Sequence, residues 1–265
     1  MEKAQIIFLG SGGGRKVTSA QTRATGGFVI QVDDEQIHVD PGVGAVVRAA
    51  QFGVDISNTT IILVSHFHID HSNDANAIIN AITFGGKEKK GVLITGKFED
   101  DGNLTTFHKN AVNKYIKLKP GDKTEVGKII IKATKTKGHD VESVGYKIFT
   151  PKFVLGYTSD TSYFPGLTEE FKGCDIMIMN TLKPKGMKLK GHMNSDDIVK
   201  LLKNVRPKLA ILQHFGSSML KANPVYEARE IQKQSGVQTI AAQDGLVVDT
   251  LSYSTKLKQK TMNLY

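Results

Sequence analysis

Four side chains able to bind a divalent metal fall within the stretch 61–74, IILVSHFHIDHSND: His66, His68, Asp70 and His71. This mixture of imidazole and carboxylate is the one that hydrolytic divalent-metal sites use. Imidazoles two apart on extended backbone point the same way, so His66 and His68 can chelate one ion together. Asp70 and His71 follow where the strand gives way to a turn, and the bend can aim them at a neighbouring ion. Further candidates arrive singly at the ends of apolar runs or loops: His139 in TKGHD, Asp160 in TSDT, His192 in GHMN and His214 in LQHF. Asp40, before Pro41-Gly42, suits the outer nitrogen of a ligating imidazole. His108 reads as a surface histidine, and Cys174, the one cysteine, as a small buried side chain.

These residues need elements to position them. Residues 4–9 form a strand that breaks at Gly10-Ser11-Gly12-Gly13-Gly14. The glycine spacing is neither GxGxxG nor GxxxxGK, so it implies close backbone approach beside a site rather than a nucleotide fold. Arg15, Lys16 and Arg23 bracket that loop and could meet an anion. Helices are expected over 43–51 and 74–82, from a Ser195 cap followed by Asp196 and Asp197, and from Asn223-Pro224 to Gly236. The runs IILVSHF and LAILQHF both end an apolar strand in His-Phe. A loop carrying Lys183, Lys185, Lys188 and Lys190 leads to His192, and the tail 256–260 is expected to be unstructured. Strands alternating with helices, with every suspected ligand near a strand end, imply a sheet-based fold with one shared rim for chemistry.

The 265 residues suit one domain, 1–265, with a sizeable core. Lys and Arg exceed Asp and Glu, 35 to 26, giving a formal charge of +9. That excess favours anionic partners such as RNA or a phosphorylated small molecule. A single cysteine excludes an intramolecular disulfide and thiolate zinc sites. No apolar run reaches the ~18 residues of a membrane span, and the N-terminus reads as a first strand rather than a signal peptide. A cytoplasmic protein without membrane contact is expected.

The set His66-x-His68-x-Asp70-His71, then His139, Asp160 and His214, resembles the metallo-β-lactamase superfamily. The resemblance implies an α/β (α+β) fold, the four-layer αββα sandwich of that family. It also implies two divalent ions, with Zn2+ the first choice and Mn2+ or Fe the alternatives. His66, His68 and His139 would hold the first, Asp70, His71 and His214 the second, and Asp160 would bridge them. A water shared by two such ions, its pKa lowered towards 7, would be the nucleophile, with Asp70 and His192 as catalytic residues. The bridging Asp argues against true β-lactamases, and His68 stands where the flavodiiron oxidoreductases carry Glu.

Within the superfamily, GHDVESVGYKI, YTSDT, GHMNSDDI and LQHFG are similar to blocks of the ribonuclease Z-like phosphodiesterases. His192 matches their histidine for protonating the leaving group, a role that suits imidazole near neutral pH. Three departures stand against tRNA 3′ processing. His139 and Asp160 lie 21 residues apart, leaving no room for the flexible tRNA arm; the Asp40–Gly44 block lacks that group's Glu; and Met193-Asn194 follows His192 where a Thr is favoured two places on. The expectation is therefore a phosphodiesterase acting on RNA, a cyclic nucleotide or a small phosphodiester. The alternative is a thioester, ester or lactone hydrolase with the same metal centre, and the third reading is a non-catalytic nucleic-acid binder. A homodimer is the oligomer that analogy with the resembling group offers.

Overall fold

The computed structural model describes residues 4–139 and 141–258. In chain order the elements begin with β1 (Ala4–Phe8), α1 (Arg15–Ala20), β2 (Phe28–Val32), β3 (Glu35–Val39), α2 (Ala45–Gln51), β4 (Ile61–Val64), α3 (Ile69–Ser72), α4 (Ala75–Ile82) and β5 (Val92–Gly96). There follow α5 (Thr106–Ala111), β6 (Lys114–Leu118), β7 (Lys123–Val126), β8 (Ile129–Lys135), β9 (Val144–Phe149), β10 (Val154–Tyr157), α6 (Leu167–Phe171) and β11 (Ile176–Lys183). The last are β12 (Met193–Asn194), α7 (Ser195–Val205), β13 (Leu209–Gln213), α8 (Ser217–Ala222), α9 (Pro224–Ser235), β14 (Thr239–Ala241), β15 (Leu246–Asp249) and β16 (Thr255–Leu257). The chain gathers into two compact units: one holds the segment up to Ser11, Arg23–Lys117 and the segment from Gln243 on, the other Gly12–Thr22 and Leu118–Ala242.

The first unit is built on a sheet of order β16-β15-β1-β2-β3-β4-β5-β6. β1, β2 and β3 pair antiparallel, whereas β3, β4 and β5 run parallel. Parallel strands covered on both faces read as unbroken apolar runs, and all four residues of β4 are buried. α4 turns Ile78, Ile79 and Ile82 onto Ile62, Val64 and Leu93.

The second unit has a sheet of order β14-β13-β11-β10-β9-β8-β7, with β12 added on β11. β10, β11, β13 and β14 are parallel, and β7 to β10 antiparallel. Ile198, Leu201 and Leu202 of α7 and Ile231 of α9 pack with Met177, Met179 and Leu212 of the sheet. The two His-Phe runs therefore close parallel strands in both sheets.

Several local expectations are corrected. α7 is capped not by Ser195 but by Asn194, whose side chain accepts from the Asp197 N–H at 3.0 Å. The Ser195 hydroxyl is instead drawn to the buried Glu227 carboxylate. β11 runs on to Lys183, so that lysine ends a strand rather than starting the loop, because β12 pairs with the end of β11, Thr181 opposite Met193 and Lys183 opposite Asn194. Arg15 and Lys16 lie in α1, not in an open loop. The expected tail is in part a strand, Thr255–Leu257 pairing with β15; residues 259 and 260 lie outside the described residues, as does Asp140. Among the described residues no helix is long and apolar enough to cross a membrane.

Candidate metal centre

In the first unit β4 ends at Val64 and delivers Ser65 and His66, while the parallel β3 delivers Asp40 beside them, its N–H bonded to the Leu63 carbonyl at 2.8 Å. One buried carboxylate then organises the cluster. Asp40 Oδ1 accepts the Ser65 N–H at 2.7 Å and Oδ2 accepts the Ser65 hydroxyl at 2.6 Å. Its Oδ2 also takes the Nδ1–H of His71 at 2.8 Å. That bond sets the tautomer, so the His71 Nε2 lone pair is left to bind a cation. His66 and His68 converge as their spacing predicts, Nε2 of one 3.1 Å from Nδ1 of the other. Asp70 and His71 sit on the short helix α3 rather than a plain turn, Asp70 Oδ2 3.9 Å from His71 Nε2. A Cβ at Gly42 would lie 2.1 Å from the Asp70 carbonyl oxygen. Only glycine lets the Asp40–Gly42 corner pass that close.

The second unit gathers the later candidates around Asp160. Its buried Oδ2 lies 3.9 Å from His139 Nε2, 3.6 Å from His192 Nδ1 and 3.5 Å from His214 Nε2. Donor atoms of His139, Asp160 and His192 all fall within 4.8 Å of one another. Two glycines make this crowding possible. Gly191, at φ 82°, would put a Cβ 2.8 Å from His139 Cα, and Gly13 would put one 2.3 Å from the His214 ring. The expected close approach of the glycine-rich loop is thus located at Gly13 and His214.

Imidazole nitrogens around a carboxylate, with no sulfur among them, form a donor set suited to Zn2+, Mn2+ or Fe. The residues fit such an ion. His108 is held by Thr105, whose Oγ1 lies 2.6 Å from its Nδ1, on the surface as expected. Cys174 is buried, and burial pushes its thiol up to about 12, so it is unreactive.

Three polar residues escaped the sequence analysis. Asn180 donates to Asp160 Oδ1 at 2.7 Å, Gln213 donates to Asn180 Oδ1 at 3.0 Å, and His38 is fully buried with Nε2 3.0 Å from the Gly26 carbonyl. Asn180 and Gln213 did carry a signal: each is a polar residue that ends an apolar run, IMIMN and LAILQ.

A sheet-built α/β protein presenting histidines and carboxylates at strand ends defines a class, the metal-dependent hydrolases. A family model described as the beta-lactamase superfamily domain matches residues 35–215, which takes in Asp40 and every histidine from His38 to His214. A protein of Methanocaldococcus jannaschii, itself described as uncharacterized, is 38% identical over 94% of this chain and 96% of its own. A ribonuclease Z of Methanopyrus kandleri is 27% identical over 55% of this chain and 50% of its own. Among solved structures, the metallo-beta-lactamase fold protein YhfI of Bacillus subtilis superposes with a TM-score of 0.78 at 20% identity, covering 93% of this chain and 99% of its own. The chain belongs to the metallo-β-lactamase superfamily, on its ribonuclease Z-related side, and is a metal-dependent hydrolase.

Proposed function

We propose that the protein is a phosphodiesterase in which His66, His68, Asp70, His71, His139, Asp160 and His214 together hold two divalent metal ions, Zn2+ before Mn2+ or Fe. Such a pair supplies Lewis acidity and an activated water at neutral pH. Asp40 keeps His71 in the tautomer that offers Nε2. Asp70 shares the short helix α3 with His71, so the two act from one rigid turn. The observation that carries the phosphodiester reading is the placement of His192. It is a half-buried imidazole whose Nδ1 stands 3.6 Å from Asp160 Oδ2, close enough to deliver a proton to a leaving alkoxide. Lys185, Lys188 and Lys190 are exposed on the loop that runs into it and can neutralise phosphates flanking the scissile one.

The kinship with ribonuclease Z supports RNA or a related phosphodiester as substrate. The interval between His139 and Asp160 is taken up by the hairpin β9–β10. A substrate that needs no tRNA-binding arm therefore suits the chain better than a tRNA precursor. The deciding experiment sets bis(p-nitrophenyl) phosphate and short RNAs against thioesters and lactones, with metal content measured alongside. Turnover of the phosphodiesters is expected. Metal-loaded protein that leaves them intact with Zn2+, Mn2+ and Fe alike, or that prefers a thioester or lactone, overturns the proposal. In a companion variant, His192→Ala should keep its metal and lose about 10²- to 10⁴-fold in kcat. The loss should be smallest for p-nitrophenolate, which leaves without needing a proton.

A further inference from the structure

Asp160 presents its two oxygens to different surroundings. Oδ2 faces His139, His192 and His214, whereas Oδ1 accepts the Asn180 side-chain N–H at 2.7 Å. Asn180 is buried in β11, flanked by β10 and β13, and its register partner on β13 is Gln213. The Gln213 amide donates to Asn180 Oδ1 at 3.0 Å, which turns the carbonyl end of Asn180 away from Asp160 and its NH2 end towards it. The same NH2 reaches the Tyr157 hydroxyl at 3.3 Å, and the Asn180 backbone N–H is held by Thr158 Oγ1 at 3.1 Å. Gln213 precedes His214 in the chain, so a single relay ties the His214 strand to the carboxylate.

Buried amides in series have few orientations that satisfy every donor and acceptor. A Gln213 that donates leaves Asn180 one choice, with its NH2 at Asp160 Oδ1. We propose that Asn180, set by Gln213, is a positioning residue that orients Asp160 so that Oδ2 alone is offered to metal. The inference rests on the metal-centre reading given above. It adds the prediction that two neutral residues touching no ion govern how tightly the centre is loaded.

The test uses the full chain stripped of metal and titrated with Zn2+, then with Co2+ for its visible spectrum. Asn180→Leu should weaken Zn2+ binding by about 10- to 100-fold and alter the Co2+ bands, because Asp160 is free to rotate. Gln213→Leu, which leaves Asn180 in place, should shift both readouts the same way by less. The double variant should be no worse than Asn180→Leu, the mark of residues acting in series. A residue of merely structural importance would lower thermal stability and leave the Co2+ spectrum of the folded protein unchanged. Wild-type affinity and spectrum in folded Asn180→Leu or Gln213→Leu, or additive losses in the double variant, overturn the relay. A wild-type protein that takes up no ion overturns the metal-centre reading itself.

Discussion

His38 has no part in the chemistry proposed above, yet it is the most perturbed histidine with a resolved shift. It lies wholly inside the first unit, donating through Nε2 to the Gly26 carbonyl, while its Nδ1 has no hydrogen-bond partner among the described residues. Burial lowers its pKa to about 4, against the opposing pull of the Gly26 carbonyl and of the Asp74 and Asp40 charges. The unfolded chain takes up a proton there from about pH 6.5 downwards, the folded protein only near pH 4. Stability is therefore lost as pH falls through that window, by on the order of 3 kcal/mol. His38→Leu should remove that part of the slope. Denaturant titrations of both proteins from pH 7.5 to 4 give the difference, and parallel curves would refute it. Gly13 makes a second residue-scale case. A methyl there would strike the His214 ring, so Gly13→Ala should weaken metal uptake, read by competition with a chromogenic chelator, while the folded circular dichroism spectrum persists.

The lysine loop between β11 and α7 is an element whose backbone is anchored and whose lysines form no ion pair among the described residues. The Gly186 N–H bonds Asp196 at 2.8 Å, the Lys185 N–H bonds Glu227 at 3.1 Å, and the Asn194 amide bonds the Met187 carbonyl at 2.9 Å. None of these bonds uses a lysine ammonium. Lys188→Gln with Lys190→Gln should therefore leave stability almost unchanged. The pair should reduce the salt slope of RNA binding by about two, one for each phosphate that a lysine no longer neutralises, and spare turnover of a small chromogenic diester. RNA binding with an unaltered salt slope would remove the loop from the substrate path. Asn194→Ala works through the opposite property: losing the α7 cap should cost about 1 kcal/mol, visible as a lower melting temperature.

At the scale of the molecule, the chain passes between its two units after Ser11, Thr22, Lys117 and Ala242. Neither unit is one continuous segment, so neither can be cut out as a fragment. We propose that residues 1–265 unfold as one domain, in a single calorimetric transition; two resolved transitions would contradict this. Metal bound only by the folded state adds about 2.7 kcal/mol when free ion is at a hundred times Kd. Chelation should accordingly lower the melting temperature by several degrees, and readdition of Zn2+ should restore it.

The motif HxHxDH and the order of the later metal-ligand candidates were legible because a metal demands particular side chains, and apolar runs ending in them announce strands. The helices over 74–82 and 224–235 were legible through apolar periodicity and the Asn223-Pro224 start. The true cap of α7 was not, since Ser195 is an equally good cap by type and only the buried Glu227 draws it elsewhere. Nor were α1, the strand Thr255–Leu257 or the roles of Asn180, Gln213 and His38. An amide or imidazole inside an apolar run has no chemistry of its own to declare. What it does depends on the neighbour that the fold brings against it: Gln213 opposite Asn180 in strand register, Asp160 and Gly26 from loops beside Asn180 and His38. The sequence by itself determined which residues could hold a metal and the family they mark. Tertiary structure alone decided how each is held, because orientation is set by contacts between segments far apart in the chain.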